Sequence, residues 1–165
     1  MKEISVSELK KNPFELIGKD WMLVTAEAQG RVNAMTAAWG GMGVMWGKNV
    51  VFAVIRPTRY TKELLDASDT FSLAFMDEGY REKLNYFGTV SGRDEDKVAK
   101  SGFTVKHDGQ TPYFEEAGLV LVCKKLYVQA QDSACFIDKE ADKKWYPNKD
   151  YHIMYIAEIE KVLAK

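Results

Sequence analysis

The chain has 165 residues and a formal net charge of −1, and 46% of its residues are hydrophobic while 28% are charged. This length and composition fit one folded domain, residues 1–165, and no apolar run approaches the ~20 residues that would span a bilayer. Acids are interspersed with the lysines, so no basic stripe is available for nucleic acid, and the N-terminal segment lacks the apolar core of a secretory signal. We therefore expect a cytoplasmic protein that binds neither nucleic acid nor a membrane.

The sequence contains two cysteines and two histidines, which limits its redox and metal chemistry. Cys123 and Cys135 lie too far apart for a C-x-x-C pair, and two histidines are few for a structural zinc site. We expect two reduced thiols and no bound metal. A disulfide between the cysteines is the alternative, and a cytosolic location argues against it.

The first predicted element is a short helix near the N-terminus. Ser5 and Glu8 have the spacing of a capping box, and the helix is expected to reach Lys11 and to end at Asn12-Pro13. Three apolar residues then follow as anchors for the core: Phe14, Leu16 and Ile17.

From Trp21 onward the patterns predict strands. "WMLVTAEA" and "VNAMTAAW" flank a turn at Gly30-Arg31, and the second segment is made mostly of small side chains. "VVFAVI", residues 50–55, is apolar throughout, which predicts a strand that is buried on both faces at the centre of the sheet. Further strands are predicted at "TFSLAFM", at residues 118–128 and in the closing segment from Tyr151.

Short helices are predicted between these strands, over residues 59–66 and 80–87 and from about Asp94, and residues 138–144 are expected to form a solvated helix or loop without chemistry. The elements do not alternate regularly between strand and helix. This order favours a mainly β protein with short helices, an antiparallel barrel or sandwich, over a doubly wound parallel sheet.

The segment "RPTRYT", residues 56–61, lies where a buried strand gives way to a helix. A helix N-terminus presents free N–H groups, and two arginines with the hydroxyls of Thr58 and Thr61 add donors, so the segment could grip a phosphate. The alternative is that Thr58 caps the helix while Arg56 and Arg59 are surface charges. Spacing alone leaves both open.

The glycine-rich segment "WGGMGVMWG" does not have the spacing of a dinucleotide-binding or phosphate-binding loop. A flexible apolar loop or bulge is the favoured interpretation, although Trp39 and Trp46 could wall a planar aromatic ligand. In "VSGRDEDK", residues 90–97, the polar groups of Ser91, Gly92 and Lys97 either contact an anion or simply begin a helix.

His152 lies among apolar strand residues, where a histidine is more often a half-buried structural residue than a base, and His107 is expected in a turn. No nucleophile has a local base, and no G-x-S-x-G motif is present. We expect a bound cofactor to carry the chemistry.

In order and spacing, "NAMTAAWGGMGVMWGKN", "VVFAVIRPTRYTKELL", "TFSLAFM", "SGRDEDK" and "YHIMYIAEIEKV" resemble the flavin reductase-like family, including flavoredoxin-type proteins. The match covers nearly the whole chain. The resemblance implies a Greek-key split β-barrel that binds flavin mononucleotide (FMN) non-covalently and forms a homodimer, with the flavin near the subunit interface.

The resemblance also implies which residues hold the flavin. The residues expected to line the isoalloxazine ring are Met35, Thr36, Ala37, Ala38 and Trp39. The residues expected to hold the ribityl phosphate are Arg56, Thr58, Arg59, Tyr60 and Thr61, with Ser91, Gly92 and Lys97 helping. Many relatives have serine where this chain has Ala38, so one hydroxyl contact is missing here.

The implied activity is that of an oxidoreductase in which NADH or NADPH passes hydride to the flavin, which then hands electrons to a small-molecule or protein acceptor. His152 is the candidate catalytic residue, as a proton donor beside the flavin. The alternatives are a non-catalytic FMN-binding electron carrier or redox sensor, an oxidase for a pyridoxamine phosphate-like substrate, and a module that binds no cofactor.

Overall fold

The structure is a computed structural model that describes residues 1–165. Ten strands hold more residues than the helices do. Their bounds are β1 (Lys2–Ile4), β2 (Met22–Ala28), β3 (Arg31–Ala37), β4 (Gly40–Met45), β5 (Lys48–Ile55), β6 (Thr70–Phe75), β7 (Val105–Asp108), β8 (Thr111–Phe114), β9 (Leu119–Ala130) and β10 (Ile153–Ala164).

The helices are short. They are α1 (Pro13–Glu15), α2 (Tyr60–Ala67), α3 (Arg81–Thr89), α4 (Lys97–Ser101) and α5 (Lys139–Trp145). Single 3₁₀ turns lie at Val6–Glu8, Glu78–Tyr80 and Ser133–Cys135, and a π-helical turn lies at Leu16–Asp20.

Eight strands form one antiparallel sheet in the order β3-β2-β6-β9-β10-β5-β4, with β1 paired to the end of β10. β3 and β4 are therefore the two edges, yet only Ala38 and Trp39 separate them along the chain. Because such a link spans roughly 11 Å at most, the sheet must curl until its edges lie near each other. The edges are not hydrogen-bonded to each other, so the barrel is split along this line.

The core has two parts on opposite faces of the curled sheet. The larger cluster holds 20 buried residues, among them Phe71, Leu121 and Tyr155 from three neighbouring strands. The smaller cluster packs the other face against α3 and against the β7–β8 hairpin, through Phe87 and Phe114. Both sides of the central strands are thereby removed from water, which supplies the main driving force for folding.

The predicted mainly β, antiparallel architecture with short helices is confirmed, and every strand expected from the sequence is present. The capping box of Ser5 and Glu8 is also present, but the turn that it starts ends at Glu8 rather than Lys11. Of the three expected core anchors, Leu16 and Ile17 are buried, whereas Phe14 is 87% exposed.

The expectation that residues 50–55 form the central strand is wrong. β5 is the penultimate strand, between β10 and the edge strand β4. Val51, Ala53 and Ile55 fill the core, while Phe52 and Val54 on the other face are only partly buried. The apolar outer face of β5 is explained in part by Val54, which lines a cavity that is described below.

Two further expectations are corrected by strand pairing, and one of two alternatives is decided for a third segment. The glycine-rich segment is not a loop, because Gly40–Met45 forms β4 and pairs with β5. His107 is not in a turn but in β7, where its Nε2 lies 2.6 Å from Glu27 Oε2. The segment at 138–144 is a solvated helix, α5, as one of its two alternatives predicted, but its last residue, Trp145, lines the same cavity as Val54.

Candidate functional site

A cavity of about 220 Å³, called here the ring chamber, opens where the barrel is split. The end of β3 and the link to β4 form one wall, and β5 with the segments around α5 and before β10 forms the other. Its lining residues are Met35, Thr36, Ala37, Ala38, Trp39, Val54, Arg56, Arg59, Trp145 and His152.

Trp39 forms an aromatic corner of the ring chamber. Its ring centroid lies 4.9 Å from that of Trp145, edge to face, and 5.1 Å from that of His152. Both tryptophans remain partly exposed, so the chamber can be reached from solvent. Offset and edge contacts of this kind suit a flat aromatic ligand.

Thr36 closes the opposite side of the chamber. Its Oγ1 donates to the carbonyl oxygen of Leu84 at 2.6 Å, which ties the β3 edge to α3. The alanines beside it, Ala37 and Ala38, leave the backbone accessible to a ligand. The small side chains that the sequence showed in this strand therefore make room for the cavity.

Arg56 lies in the ring chamber and not in the phosphate site where it was expected. Its Nη1 is 2.5 Å from Asp150 Oδ2, and its Nη2 donates to the carbonyl oxygen of Trp145 at 2.8 Å. Its guanidinium also lies 5.3 Å from the ring centre of Tyr146. Arg56 is therefore drawn away from α2, because the segment before β10 supplies both its counter-charge and its acceptor.

His152 is 7% exposed and accepts or donates through Nδ1 to the hydroxyl of Tyr146 at 2.8 Å. Burial lowers the pKa of His152 to about 4, with the nearby positive charge of Arg56 as the second cause. The imidazole is therefore neutral at neutral pH. The sequence favoured a half-buried structural histidine; the structure buries His152 more fully and places it on the wall of the ring chamber.

A second cavity of about 120 Å³, called here the anion pocket, adjoins the ring chamber and shares Arg59 with it. It lies at the N-terminus of α2, where no side chain caps the helix. Its lining residues are Asn33, Thr58, Arg59, Tyr60, Thr61, Gly88, Thr89, Val90, Ser91, Gly92 and Lys97.

Two cations face the anion pocket without an acidic partner. Lys97 is 2% exposed, and its Nζ donates to the carbonyl oxygen of Phe87 at 3.0 Å. Arg59 Nη2 donates to the same oxygen at 3.2 Å. No carboxylate lines the pocket, and neither cation forms a salt bridge.

The pKa values reflect this uncompensated charge. Burial lowers the pKa of Lys97 to about 8, and the positive charge of Arg59 is the second cause of that decrease. Burial also lowers the pKa of Arg59. Because a buried charge without a counter-charge is unfavourable, an anion placed in the pocket would offset the charges of Lys97 and Arg59.

Gly92 is required where the loop before α4 crosses the anion pocket. A Cβ atom at this position would lie 2.4 Å from Asn33 Oδ1 and 2.8 Å from Tyr60 Cδ1. Asn33 is itself fixed, because its Nδ2 donates to Thr61 Oγ1 at 2.8 Å. Arg31 holds the loop in place by donating to the carbonyl oxygen of Gly92 at 2.7 Å.

Each residue that the sequence singled out for cofactor binding, together with His152, lines one of these two adjoining cavities. Sequence reasoning missed Asn33, Val54 and Trp145. Asn33 could have been found, because it is a lone amide in a strand of small apolar residues. No sequence pattern pointed to Trp145, because it follows the charged segment 138–144, which was expected to be solvated. Trp46, which was considered as a ligand wall, lies instead in the β4–β5 turn, outside both cavities.

Three features outside the cavities bear on other kinds of chemistry. Cys123 is a buried free thiol and Cys135 an exposed one. No three His, Cys, Asp or Glu side chains are grouped so that they could hold a metal ion. None of the helices is both long enough and apolar enough to cross a membrane.

Solved structures share this fold at low sequence identity. Flavoredoxin of Desulfovibrio vulgaris (Miyazaki F) superposes with a TM-score of 0.71 at 21% identity, covering 100% of this chain and 77% of that one. The FMN-binding domain of a flavin reductases-like enzyme from Shewanella baltica gives 0.70 at 18%, covering 98% and 75%. An NADH:FAD oxidoreductase from Streptomyces globisporus, in complex with NAD and FAD fragments, gives 0.66 at 15%, covering 88% and 74%.

Comparisons of the sequence itself identify a relative and a family. A curated relative, an uncharacterized protein from Aeropyrum pernix, is 33% identical over 93 residues, which are 56% of this chain and 34% of that protein. The matched part thus spans about a third of that relative's length. Residues 15–164, nearly the whole chain, match the family model described as "Flavin reductase like domain". With the split barrel already described, this match shows that the chain belongs to the flavin reductase-like family.

Proposed function

We propose that this protein binds FMN non-covalently, with the phosphate in the anion pocket and the isoalloxazine ring in the ring chamber. The observation that carries the proposal is the pair of cations, the buried Lys97 and the half-buried Arg59, that face a pocket without any carboxylate. A phosphate dianion supplies the missing charge and accepts from both groups. The ring chamber begins at Arg59, so one ligand can reach both cavities.

The residues of the two cavities fit the parts of FMN. In the anion pocket, the first N–H groups of α2 and the hydroxyls of Thr58, Thr61 and Ser91 add donors for the phosphate. Gly92 lets the loop backbone approach closely. In the ring chamber, the side chains from Met35 to Trp39 give the apolar and aromatic wall that a flavin ring requires. The lack of a hydroxyl at Ala38 leaves Thr36 as the hydroxyl in that wall.

We further propose that the protein is an oxidoreductase that takes hydride from NADH or NADPH and passes electrons to a small-molecule or protein acceptor. FMN would supply the hydride and electron chemistry. The chain's own residues position the ligand and place two guanidinium groups, Arg56 and Arg59, along the chamber. Fixed positive charge of this kind favours a ligand that gains negative charge on reduction.

Two observations support a second substrate in contact with the flavin. Trp39 and Trp145 at the chamber are 39% and 43% exposed, so a ring bound there would be open to solvent on that side. The structurally similar enzyme from Streptomyces globisporus is an NADH:FAD oxidoreductase in complex with NAD and FAD fragments. His152 is neutral and lies in the chamber, so we propose it as a hydrogen-bonding group beside the ligand and not as a cationic acid.

We also propose a homodimer formed through an exposed apolar surface, called here the β4–β9 surface. It consists of Val44, Trp46, Leu126, Tyr127 and Val128. Trp46 lies 6.1 Å from Tyr127 between ring centroids, so the β4–β5 turn and β9 meet at these two rings. Clustered exposed apolar groups are typical of an interface.

The experiment that tests the function begins with flavin binding. The purified protein is equilibrated with FMN, and the bound fraction is measured by equilibrium dialysis and by quenching of flavin fluorescence. The flavin-loaded protein is then mixed with NADH or NADPH in a stopped-flow instrument, and loss of flavin absorbance is followed. Failure to bind FMN would overturn the whole proposal. If FMN binds but NADH and NADPH reduce it no faster than they reduce free FMN, the alternative function of an electron carrier is favoured.

A further inference from the structure

A hydrogen-bonded chain of three side chains, His152, Tyr146 and the partly buried Gln131, leads away from the ring chamber. The hydroxyl of Tyr146 lies 2.8 Å from His152 Nδ1 and 2.8 Å from Gln131 Oε1. Tyr146 is 6% exposed and His152 is 7% exposed. The bond between Tyr146 and His152 is therefore removed from bulk water, where each polar atom depends on its protein partner, whereas Gln131 at the far end is partly exposed.

The order of donors in this chain follows from the orientation of the Gln131 amide, whose Oε1 faces the hydroxyl of Tyr146. A tyrosine hydroxyl has one proton, and an amide oxygen can only accept. Tyr146 therefore donates to Gln131 Oε1, and its own oxygen is left to accept from His152 Nδ1–H. In a neutral imidazole with its proton on Nδ1, the other nitrogen, Nε2, carries a lone pair. Burial supports the neutral form, because it lowers the pKa of His152 to about 4.

The free lone pair faces the ring chamber. His152 lines that chamber, and Nε2 has no hydrogen-bond partner in the protein. Nε2 is also absent from the fully buried polar side-chain atoms that lack a partner, which are Thr25 Oγ1, Ser68 Oγ and Asp150 Oδ1. Nε2 is therefore not sealed in the protein, and the lining of the ring chamber by His152 makes that cavity the route by which we infer a ligand reaches it.

The other polar side chains of the chamber are mainly donors. Arg56 and Arg59 can only donate, and the hydroxyl proton of Thr36 is already directed to Leu84. An unprotonated Nε2 thus adds a nitrogen acceptor to a chamber otherwise rich in donors. A tautomer with the proton on Nε2 would remove that acceptor, so the partner of Nδ1 decides what the chamber can recognise.

We propose that Tyr146 and Gln131 are positioning residues that hold His152 in its Nδ1–H tautomer, so that Nε2 accepts a hydrogen bond from an N–H or O–H group of the ligand in the ring chamber. The identity of that ligand as FMN rests on the proposed function. The tautomer itself does not, because it is a property of the protein without ligand.

The test is the ¹⁵N NMR spectrum of the histidine rings in the full chain, recorded near pH 7 without flavin. The sequence has only two histidines, and the spectrum of the His152→Gln variant assigns the other signals to His107. The expected result is a protonated Nδ1 and an unprotonated Nε2 for His152. A protonated Nε2 in the wild-type protein would overturn the proposal.

Two variants test whether Tyr146 and Gln131 hold this tautomer. Tyr146→Phe removes the acceptor of Nδ1–H, and Gln131→Leu frees the tyrosine proton to donate to Nδ1. Each is expected to shift the tautomer ratio towards Nε2–H by about tenfold, the scale of one buried hydrogen bond. Gln131→Glu keeps the accepting oxygen and is the matched control, with an unchanged ratio. If Tyr146→Phe fails to fold, Gln131→Leu decides, and an unchanged ratio there overturns the positioning role.

Adding FMN to the labelled wild-type protein tests the acceptor role separately. A shift of the Nε2 resonance of His152 on saturation is expected, and an unchanged resonance with bound FMN would overturn that role. If dialysis shows no FMN binding while His152 is in the Nδ1–H form, the proposed function fails and the tautomer assignment is upheld.

Discussion

Lys97 and Arg59 share one acceptor, the carbonyl oxygen of Phe87, at 3.0 Å from Lys97 Nζ and 3.2 Å from Arg59 Nη2. One carbonyl oxygen carries only a partial charge, so it orients two cations without neutralising them. The pair comes from different parts of the chain, because Arg59 precedes α2 while Lys97 begins α4. Their meeting point defines the anion pocket, and the first three predictions depend on it.

Replacing Lys97 by methionine is expected to weaken FMN binding by about 10- to 100-fold, because a hydrogen bond to a charged group contributes about 1.5–3 kcal/mol. The same change is expected to maintain or raise the stability of the unloaded protein, since it removes a buried charge that has no counter-charge. Calorimetric titration with FMN and thermal unfolding measure the two effects. Lys100→Met is the control, because Lys100 is exposed and already pairs with Glu95. Equal affinities for the two variants would contradict the assignment.

FMN affinity is expected to fall as the pH rises above about 8. Burial lowers the pKa of Lys97 in the unloaded protein to about 8, so above this pH the free lysine is neutral and must take up a proton when the phosphate binds. Below pH 8 the lysine is charged and this dependence vanishes. Fluorescence titrations from pH 7 to pH 10 measure the dissociation constant. Lys97→Met is expected to lose the dependence in this window, and a parallel decline in both proteins would argue against Lys97.

The stability of the unloaded protein is also expected to depend on pH through Lys97. The folded-state pKa of Lys97 lies below its ordinary value of 10.5, so the charged lysine destabilises the fold at pH values below about 8. This penalty is relieved as the pH rises from about 8 towards 10.5. Lys97→Met lacks this penalty at every pH. The free energy of unfolding of each protein is measured as a function of pH, and the difference between the two profiles gives the contribution of Lys97.

Replacing Gly92 by alanine is expected to close the anion pocket and to weaken FMN binding at least tenfold. The new Cβ would lie 2.4 Å from Asn33 Oδ1, so the loop or Asn33 must shift, at a cost of about 1–3 kcal/mol in the free energy of unfolding. Gly79→Ala is the matched control, because a Cβ added at Gly79 would meet no other part of the protein within 4 Å. Chemical denaturation and FMN titration report the two effects, and a Gly92→Ala protein that behaves like the control would contradict the close-packed loop.

Replacing Trp46 by glutamate is expected to convert the proposed homodimer into a monomer, because a charge within the β4–β9 surface would lose its hydration on association. Light scattering coupled to gel filtration measures the mass of the particle in solution. Ile137→Glu is the control, because Ile137 is 99% exposed and lies outside that surface. A wild-type protein that elutes with the mass of one chain would remove the dimer proposal.

Most of the secondary structure was accessible from local patterns. The strand-like segments of β6 and β10 and the capping box of Ser5 and Glu8 are properties of neighbouring residues, and both strands and the capping box are found in the structure. The glycine-rich β4 was misjudged because glycine has low strand propensity, and pairing with β5 overrides that preference.

The sequence by itself determined the mainly β architecture, the family resemblance and the residue types gathered for an anion and a flat ring. It did so because hydrophobic periodicity, helix caps and short motifs depend on neighbours along the chain. Only the tertiary structure decided that β5 lies beside an edge, that Arg56 turns to Asp150 and away from Arg59, and that Lys97 is buried without a carboxylate. These features depend on strand order and on contacts between distant segments, which no local pattern encodes.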